Sequence, residues 1–463
     1  MIRDDLAKFS AAVTIQSVPS NVVVAIKRLL LDHVASMLSG PRVFSEELPP
    51  LPALAAARGG AMESTIVGLE GRYPCTSAAF TNTAMGFTGI DAWHKPSTLH
   101  VPAVMFSAAI AMAEREHASG AQLIEALIAG IEVMIRISEA LAPRNLYERG
   151  FHPTSICGPF GCAVASGKLL TLTEHQLAEA ISTAAVQGAG SSIWAGASTP
   201  PTFVIQLGRA AEGGVLAALL AQQGCYGVDR IFEDPRGFPI SYSGEVDPSK
   251  FTDGLGETFR LEQIMMQCFW FGPLLLTAIE SLLDIMRDNK LTARDIASIV
   301  VRVPTTCTLL IGAKEFPQNR LATETTLRYA MAVVSHLREK ALYSPEVSSA
   351  ENRADPEIRS LFDRVNVEAD DELDLSFPGT ESSILTIHTH QGAVMTRRND
   401  GPVRGEPENP MSDADIEAKF EIMATPELPP GNSKKVVESI AQLEQLEDLN
   451  ELTELWATRS SDP

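Results

Sequence analysis

Residues 101–141 read VPAVMFSAAIAMAEREHASGAQLIEALIAGIEVMIRISEAL, and apolar side chains recur through them at the three-to-four-residue spacing of a buried helix face. Ser119 and Gly120 interrupt this spacing with small, turn-forming side chains. The pattern therefore predicts two consecutive helices, from Val101 to about His117 and from Ala121 to about Leu141. Alanine is abundant in both, which favours helix and allows helices to approach closely.

The same spacing recurs through the first two-thirds of the chain. It predicts helices at about residues 21–38, with Gly40 as the end signal, at 174–185 and at 209–223. No alternating strand pattern of comparable length interrupts them. We therefore predict a large all-helical domain over residues 1–265.

The pattern changes after residue 265. A helix is predicted at 273–287, a strand rich in β-branched residues at Ile296–Val303, and another helix at 325–338. Residues 383–389 and 393–398 are then predicted to form a hairpin that turns at Gln391-Gly392. This order predicts a smaller α+β domain over residues 266–398. The helical tail, 399–463, is predicted to complete the first domain, so the fold class is mainly α.

Composition narrows the range of partners. The 463 residues contain 37 Lys and Arg against 58 Asp and Glu, a net charge of −21. Such a surface repels phosphate backbones and anionic lipid, so we expect neither nucleic acid nor membrane as a partner. The six cysteines form no CxxC pair, which favours buried reduced thiols. The N-terminus shows no signal-peptide pattern, and we expect a cytoplasmic protein.

Histidine is the residue type that best indicates chemistry, because no phosphate-binding loop, zinc-protease motif or nucleophile elbow is found. His94 and His100 share a short polar segment ahead of a predicted helix, and His152 precedes another helix. A histidine at such a junction can present a ring nitrogen to a cavity beside the free amides of the helix N-terminus. The alternative is that each histidine only caps or packs its junction.

The sequence also contains residues suited to two other kinds of site, a zinc site and a cysteine nucleophile. Asp91, His94 and His100 have side chains that bind zinc, but their spacing lacks the helical i, i+4 pattern. Cys157 has the side chain of a nucleophile. Its apolar surroundings favour an inert packed thiol instead. We expect no metal site.

Several short motifs, in the same order along nearly the whole chain, resemble the MmgE/PrpD family. The motifs are Leu31-Asp32, Phe80-Thr-Asn82, His100, Arg149-Gly-Phe-His-Pro-Thr154, Gly158-Pro-Phe-Gly161, Gly208-Arg-Ala-Ala211, Gly214-Val215, Asn409-Pro-Met-Ser412 and Lys419-Phe420. The resemblance implies a large helical domain completed by the tail, with the α+β domain as a lid. It also implies a homodimer that acts on a small-molecule carboxylate substrate without a metal or organic cofactor.

The resemblance carries over the catalytic residues in part. His100 and His152 match the two histidines that the family places over the substrate, and Asp91 is retained from an aspartate-rich stretch. Where the family has a lysine and a histidine ahead of Gly208 and a later lysine, this chain differs. The expected substrate-binding residues are His94, Lys95, Arg149, Trp93, Phe203, Gln206 and Gln267. Fewer cations indicate a substrate less anionic than 2-methylcitrate.

Three functions follow from these residues. The first is a lyase, a dehydratase or decarboxylase, in which one of His100 and His152 removes a proton and the other protonates the departing group. The second is an epimerase or isomerase that uses the same pair on two faces of one carbon. The third is a non-catalytic, ligand-binding protein. Which histidine is the base stays open.

Overall fold

The computed structural model describes residues 1–45, 48, 50–193, 201–377 and 379–456. Helix predominates, and the fold class is mainly α, as predicted. The described residues divide into two compact units, with residues from 1–192, 202–266 and 412–456 in the first and residues 193, 201 and those from 267–411 in the second. The segment 399–411 thus belongs to the second unit, whereas the sequence placed it with the tail.

Among the described residues before 267, the first unit contains eleven α-helices. They are α1 (Ile2–Ala12), α2 (Ser20–Val43), α3 (Pro50–Arg58), α4 (Cys75–Gly86), α5 (Val101–Glu116), α6 (Gly120–Ala140), α7 (Pro143–Glu148), α8 (Pro153–Leu169), α9 (Glu174–Ala184), α10 (Thr202–Gln222) and α11 (Phe238–Ser243). Helices α5 and α6 lie where they were predicted. A capping box between Ser119 and Gln122 begins α6, because each side chain accepts a hydrogen bond from the other residue's backbone N–H.

Two short strands of the first unit hold the loop that leads into α5. Strand β1 (Trp93–His94) pairs antiparallel with β2 (Ile264–Met265), so that Trp93 lies opposite Met265. His94 also pairs through its backbone with Leu99, which closes a tight turn between β1 and α5. These pairings position the segment from Asp91 to His100.

In the part of the second unit that the structure describes, there are seven α-helices and one sheet. The helices are α12 (Leu276–Asp288), α13 (Thr305–Ile311), α14 (Arg320–Glu324), α15 (Leu327–Leu337), α16 (Ala350–Ala354), α17 (Pro356–Phe362) and α18 (Asp371–Asp374). The strands are β3 (Ile296–Val303), β4 (Val365–Ala369), β5 (Ser383–Thr389) and β6 (Val394–Asn399), in the spatial order β4-β3-β5-β6. The predicted hairpin is present as β5 and β6, and Gly392 turns it with a φ of 85°. Strand β4, parallel to β3, was not predicted.

The chain then returns to the first unit through α19 (Asp413–Ala424), α20 (Asn432–Ala441) and α21 (Asn450–Thr453). Helix α19 packs on α2. The helices of the tail therefore complete the helical unit.

The sequence predicted that Gly40 ends α2, and this is wrong. The helix continues through Pro41 to Val43. A Cβ at Gly40 would lie 2.2 Å from the carbonyl oxygen of Met85 in α4. Glycine at this position therefore permits close contact between two helices rather than a helix end.

Helix α10 is long and apolar enough to cross a membrane by length and composition alone. About two-thirds of its most apolar window, 67%, is buried, and the helix packs against α4 and α8. Gly214 allows that contact, since a Cβ there would lie 2.3 Å from the Cβ of Cys162. This is the environment of a core helix. Helix α10 begins at Thr202, seven residues before the predicted start at 209.

Candidate active site

Two histidines occupy equivalent positions at the N-terminal ends of packed helices. His100 is the N-cap of α5 and His152 is the N-cap of α8. Pro102 and Pro153 lie in the first turns, where a missing N–H costs no helical hydrogen bond. The backbone N–H of His100 donates to the Thr154 hydroxyl at 3.2 Å. This bond joins the two helix starts, so residues 52 positions apart in sequence belong to one site.

Aromatic side chains surround the two imidazoles. The His100 ring lies 4.8 Å from Phe87 and 4.6 Å from Trp93, between ring centres. The His152 ring lies 5.6 Å from Phe203, which in turn packs edge-on against Phe87 at 5.2 Å. Phe87 and Phe203 thus connect the two histidines through ring contacts. We call these five residues the aromatic cluster.

Burial makes both histidines neutral at physiological pH. It lowers the pKa of His100 and of His152 to about 3, and a positive charge on His152 would lower the pKa of His100 further. The Nδ1 atom of His152 hydrogen-bonds to the Ser155 hydroxyl at 3.0 Å. Nδ1 of His100 is buried and has no hydrogen-bond partner among the residues the structure describes.

Asp91 precedes Trp93 by two residues and is 2% exposed. Its Oδ2 atom accepts hydrogen bonds from the backbone N–H groups of Thr88, at 2.9 Å, and Gly89, at 3.1 Å. Burial raises the pKa of this carboxyl to about 7, although the nearby ammonium of Lys419 opposes the rise. Near neutral pH, Asp91 therefore exists both with and without its proton.

A buried ion pair lies next to Asp91 and was not recognised as functional from the sequence. Asp32 of α2 and Lys419 of α19 are both buried, with Nζ of Lys419 2.6 Å from Oδ1 of Asp32. The ammonium also donates to the carbonyl oxygen of Ile90 at 2.8 Å. Both residues stood in motifs of the family resemblance. Their proximity depends on tertiary packing of α19 against α2.

The turn after β1 contains two of the predicted substrate-binding residues. His94 is fully buried, and its Nδ1 hydrogen-bonds to the Ser97 hydroxyl at 2.6 Å and accepts the Ser97 N–H at 3.3 Å. Burial lowers its pKa to about 3. Lys95 is half-buried in the same turn, and its carbonyl accepts the Thr98 N–H. The His94 imidazole therefore forms its hydrogen bonds within its own loop.

The remaining predicted residues lie at different places. Trp93 and Phe203 contact the imidazoles directly, as described above. Gln206, one turn after Phe203 on α10, accepts the backbone N–H of Ser191 at 2.9 Å through Oε1. Arg149 is exposed and donates to the carbonyl of Ser241 at 3.3 Å rather than to a member of the aromatic cluster. Gln267 is the first residue of the main segment of the second unit and is fully buried.

The two alternative sites gain no support. Asp91 Oδ2 and His94 Nδ1 are engaged in hydrogen bonds of their own loop, and the described residues contain no group of three or more metal-binding side chains. Cys157 is fully buried, and burial raises its pKa to about 12. A thiol in that state is a packing group.

The sequence did not single out Phe87 or Ser155 as site residues, and Thr154 appeared only as the last residue of a family motif. Thr154 and Ser155 had a local signal, because they follow the His152-Pro153 start of α8 and so lie in its first turn. Phe87 had none. It joins the cluster only through tertiary packing.

The structure thus defines a mainly α protein with a pair of neutral histidines at two adjoining helix N-termini. The MmgE/PrpD N-terminal domain matches residues 4–250 and the MmgE/PrpD C-terminal domain matches residues 274–445. The chain belongs to the MmgE/PrpD family, which confirms the resemblance.

Curated relatives match most of the chain. A cis-aconitate decarboxylase of Aspergillus terreus is 25% identical over 447 residues, 91% of this chain and 89% of that protein. The cis-aconitate decarboxylase of Homo sapiens is 27% identical over 390 residues, 81% and 77% of the two chains. That of Mus musculus is 27% identical over 437 residues, 90% and 86%. The prediction of an enzyme of the lyase class is confirmed.

Proposed function

We propose that this enzyme removes a carboxyl group, as CO₂, from a small carboxylic acid, with His100 and His152 as the acid–base pair. The observation that carries the proposal is the pair of neutral imidazoles joined by Phe87 and Phe203 at two adjoining helix N-termini. The names of the curated relatives support loss of CO₂ over loss of water.

The protonation states suit this chemistry. A neutral imidazole has one nitrogen that takes a proton and one N–H that donates. An anionic substrate between the helix N-termini is favoured by the helix dipoles and raises the pKa of the adjacent imidazoles. When the carbon–carbon bond breaks, its electron pair stays on the substrate carbon. One imidazolium then supplies the proton that this carbon needs, and returns to its neutral form.

Asp91 is the proposed third member of the catalytic set. Its carboxyl, with a pKa raised to about 7, holds a proton at pH values where an ordinary aspartate has none. It is therefore suited to replenish a proton that an imidazole has given up. His94, Lys95, Gln206, Gln267 and Arg149 remain proposed substrate-binding residues on the strength of the sequence. For Trp93 and Phe203, ring contacts with His100 and His152 also support a role in substrate binding.

The aromatic cluster indicates how many carboxylates the substrate carries. Phe203 is 6% exposed and contacts both Phe87 and His152, and Trp93 covers His100. These side chains provide apolar surface where the related family pattern has cations. We therefore propose a substrate with fewer carboxylates than 2-methylcitrate. The proposal also includes activity without metal or organic cofactor, a homodimer, a cytoplasmic location and an α+β lid domain.

A mass-balance experiment tests the reaction. The purified protein is incubated in D₂O with a panel of small mono-, di- and tricarboxylates, and gas and products are analysed by mass spectrometry. We expect CO₂ release and one carbon-bound deuterium in the product. Release of water instead would make the enzyme a dehydratase. Deuterium exchange without loss of a group would contradict a lyase and support an epimerase.

Phe203→Lys is expected to change substrate preference. A lysine beside His152 provides an ammonium for an additional carboxylate, and a charge-assisted hydrogen bond contributes about 1.5–3 kcal/mol. The ratio of kcat/KM for a tricarboxylate over its dicarboxylate analogue should therefore rise by at least about tenfold. Phe203→Leu, which keeps the position apolar, is the control and should leave the ratio within about twofold of wild type. An unchanged ratio in Phe203→Lys would show that Phe203 does not determine which substrate the enzyme prefers.

A further inference from the structure

The buried ion pair of Asp32 and Lys419 is attached to the loop that carries Asp91. Lys419 is 0% exposed, and its Nζ atom is 2.6 Å from Asp32 Oδ1 and 2.8 Å from the carbonyl oxygen of Ile90. Ile90 directly precedes Asp91. The pair therefore links helices α2 and α19 to the backbone beside the candidate acid.

Asp91 is consequently held on two sides. Its own Oδ2 accepts the N–H groups of Thr88 and Gly89, and the carbonyl before it is fixed by Lys419. Two residues later the chain reaches Trp93, whose ring is 4.6 Å from that of His100. A displacement of this loop would thus reach the aromatic cluster.

The pair also acts on Asp91 through its charges. Lys419, from α19, lowers the pKa of Asp91, and Asp32, from α2, raises it. Lys419 has the larger effect of the two, and burial outweighs both. Burial raises the pKa of Asp32 itself, and its contact with Lys419 opposes that rise.

Stability alone is a weak reason for such a pair. Desolvating two charges costs several kcal/mol per ion, and apolar replacements of buried ion pairs are often neutral or stabilising. Here the Lys419 ammonium donates one of its hydrogen bonds to the backbone of the loop that carries Asp91, a candidate catalytic residue. That attachment is what a purely structural pair would not need.

We propose that Lys419 and Asp32 are positioning residues for Asp91: Lys419 fixes its loop through the carbonyl of Ile90, Asp32 holds the ammonium in place, and both charges act on the Asp91 carboxyl. The proposal rests on the proposed function, in which Asp91 supplies a proton. It goes further in assigning the C-terminal helix α19 to the catalytic machinery.

Two variants give opposite expectations. Asp32→Asn removes the anion and keeps the ammonium, so the midpoint of Asp91 titration should fall by about one pH unit or more. The double variant Asp32→Asn/Lys419→Met removes both charges. Since Lys419 has the larger effect, the midpoint should then rise above that of wild type. A pair that only supported the fold would not move the midpoint in two directions.

The readout is the infrared band of the protonated Asp91 carboxyl, identified as the band that Asp91→Asn removes. Wild type should titrate with a midpoint at about 7. Midpoints that agree in wild type and Asp32→Asn would overturn the proposal, and Asp32→Asn, a substitution of similar size, decides it even if the double variant fails to fold. The measurement needs no turnover. Shifted midpoints without activity would therefore refute the proposed function, whereas activity with unshifted midpoints would refute only this assignment.

Discussion

His152→Gln is expected to reduce kcat/KM for the lyase reaction by about 10²–10⁴-fold, the usual contribution of a positioned acid or base. Glutamine keeps a polar group of similar reach beside Ser155, which bonds the native ring at 3.0 Å. It cannot, however, take up or release a proton near neutral pH. His100→Gln should cause a loss of the same order. The double variant should be little worse than either single one, because residues that act as a unit are not additive.

His33→Gln is the matched control for this prediction. His33, on α2, is also buried and neutral, and burial lowers its pKa to about 3. Its Nε2 hydrogen-bonds to the Ser107 hydroxyl at 3.0 Å, and its ring packs against Phe106. It therefore shares the burial of His152 without contact to the aromatic cluster. Steady-state kinetics should show wild-type kcat in His33→Gln; a loss of under tenfold in both His100→Gln and His152→Gln would remove the pair from the mechanism.

The parts of the fold that the sequence predicted were those governed by local signals. Ser119 and Gln122 cap α6, and Gln391-Gly392 turns the β5–β6 hairpin, so both were found at their correct places. Gly40 was misread because its role, close contact with Met85, involves a distant helix. Strand β4 was missed because its burial is confined to one of its five residues, Val365, which leaves little apolar pattern.

The candidate site divides in the same way. His100 and His152 stand out in the sequence because each begins a helix, a local feature. The contacts of Phe87 with Phe203, and of Lys419 with Ile90, join segments that only the packed structure brings together. The sequence could thus name the imidazoles, but not the residues that hold them in a shared apolar environment.

The buried histidines should lower the stability of the protein as pH falls below about 6.5. Four buried histidines, His33, His94, His100 and His152, have pKa values lowered to about 3 from an ordinary value of 6.5. As pH falls through 6.5 the unfolded chain takes up four protons that the folded protein does not bind, so stability is lost. Each such proton changes the free energy of unfolding by about 1.4 kcal/mol per pH unit.

Buried carboxyls act in the opposite direction, because burial raises the pKa values of Asp32, Asp91, Glu114 and Glu132. The pKa of Asp91 and of Glu132 is raised to about 7, so between about pH 4.5 and 7 the folded protein holds a proton on each of these two that the unfolded chain lacks. These stabilise the folded state as pH falls. The net loss of stability per pH unit is therefore smaller than the four histidines alone would cause.

His33→Gln isolates one of these contributions, since all other groups are shared with wild type. The free energy of unfolding of both proteins, measured by urea denaturation at a series of pH values between 5 and 7.5, should diverge in slope. Because the variant lacks one histidine that is protonated only in the unfolded chain, its slope below pH 6 should be shallower by about 1.4 kcal/mol per pH unit. Parallel slopes would mean that His33 takes up its proton in the folded protein as readily as in the unfolded chain. Burial at 2% exposure would then not suppress the charge of an imidazole here, and the neutral state assigned to His100 and His152 on the same ground would lose its support.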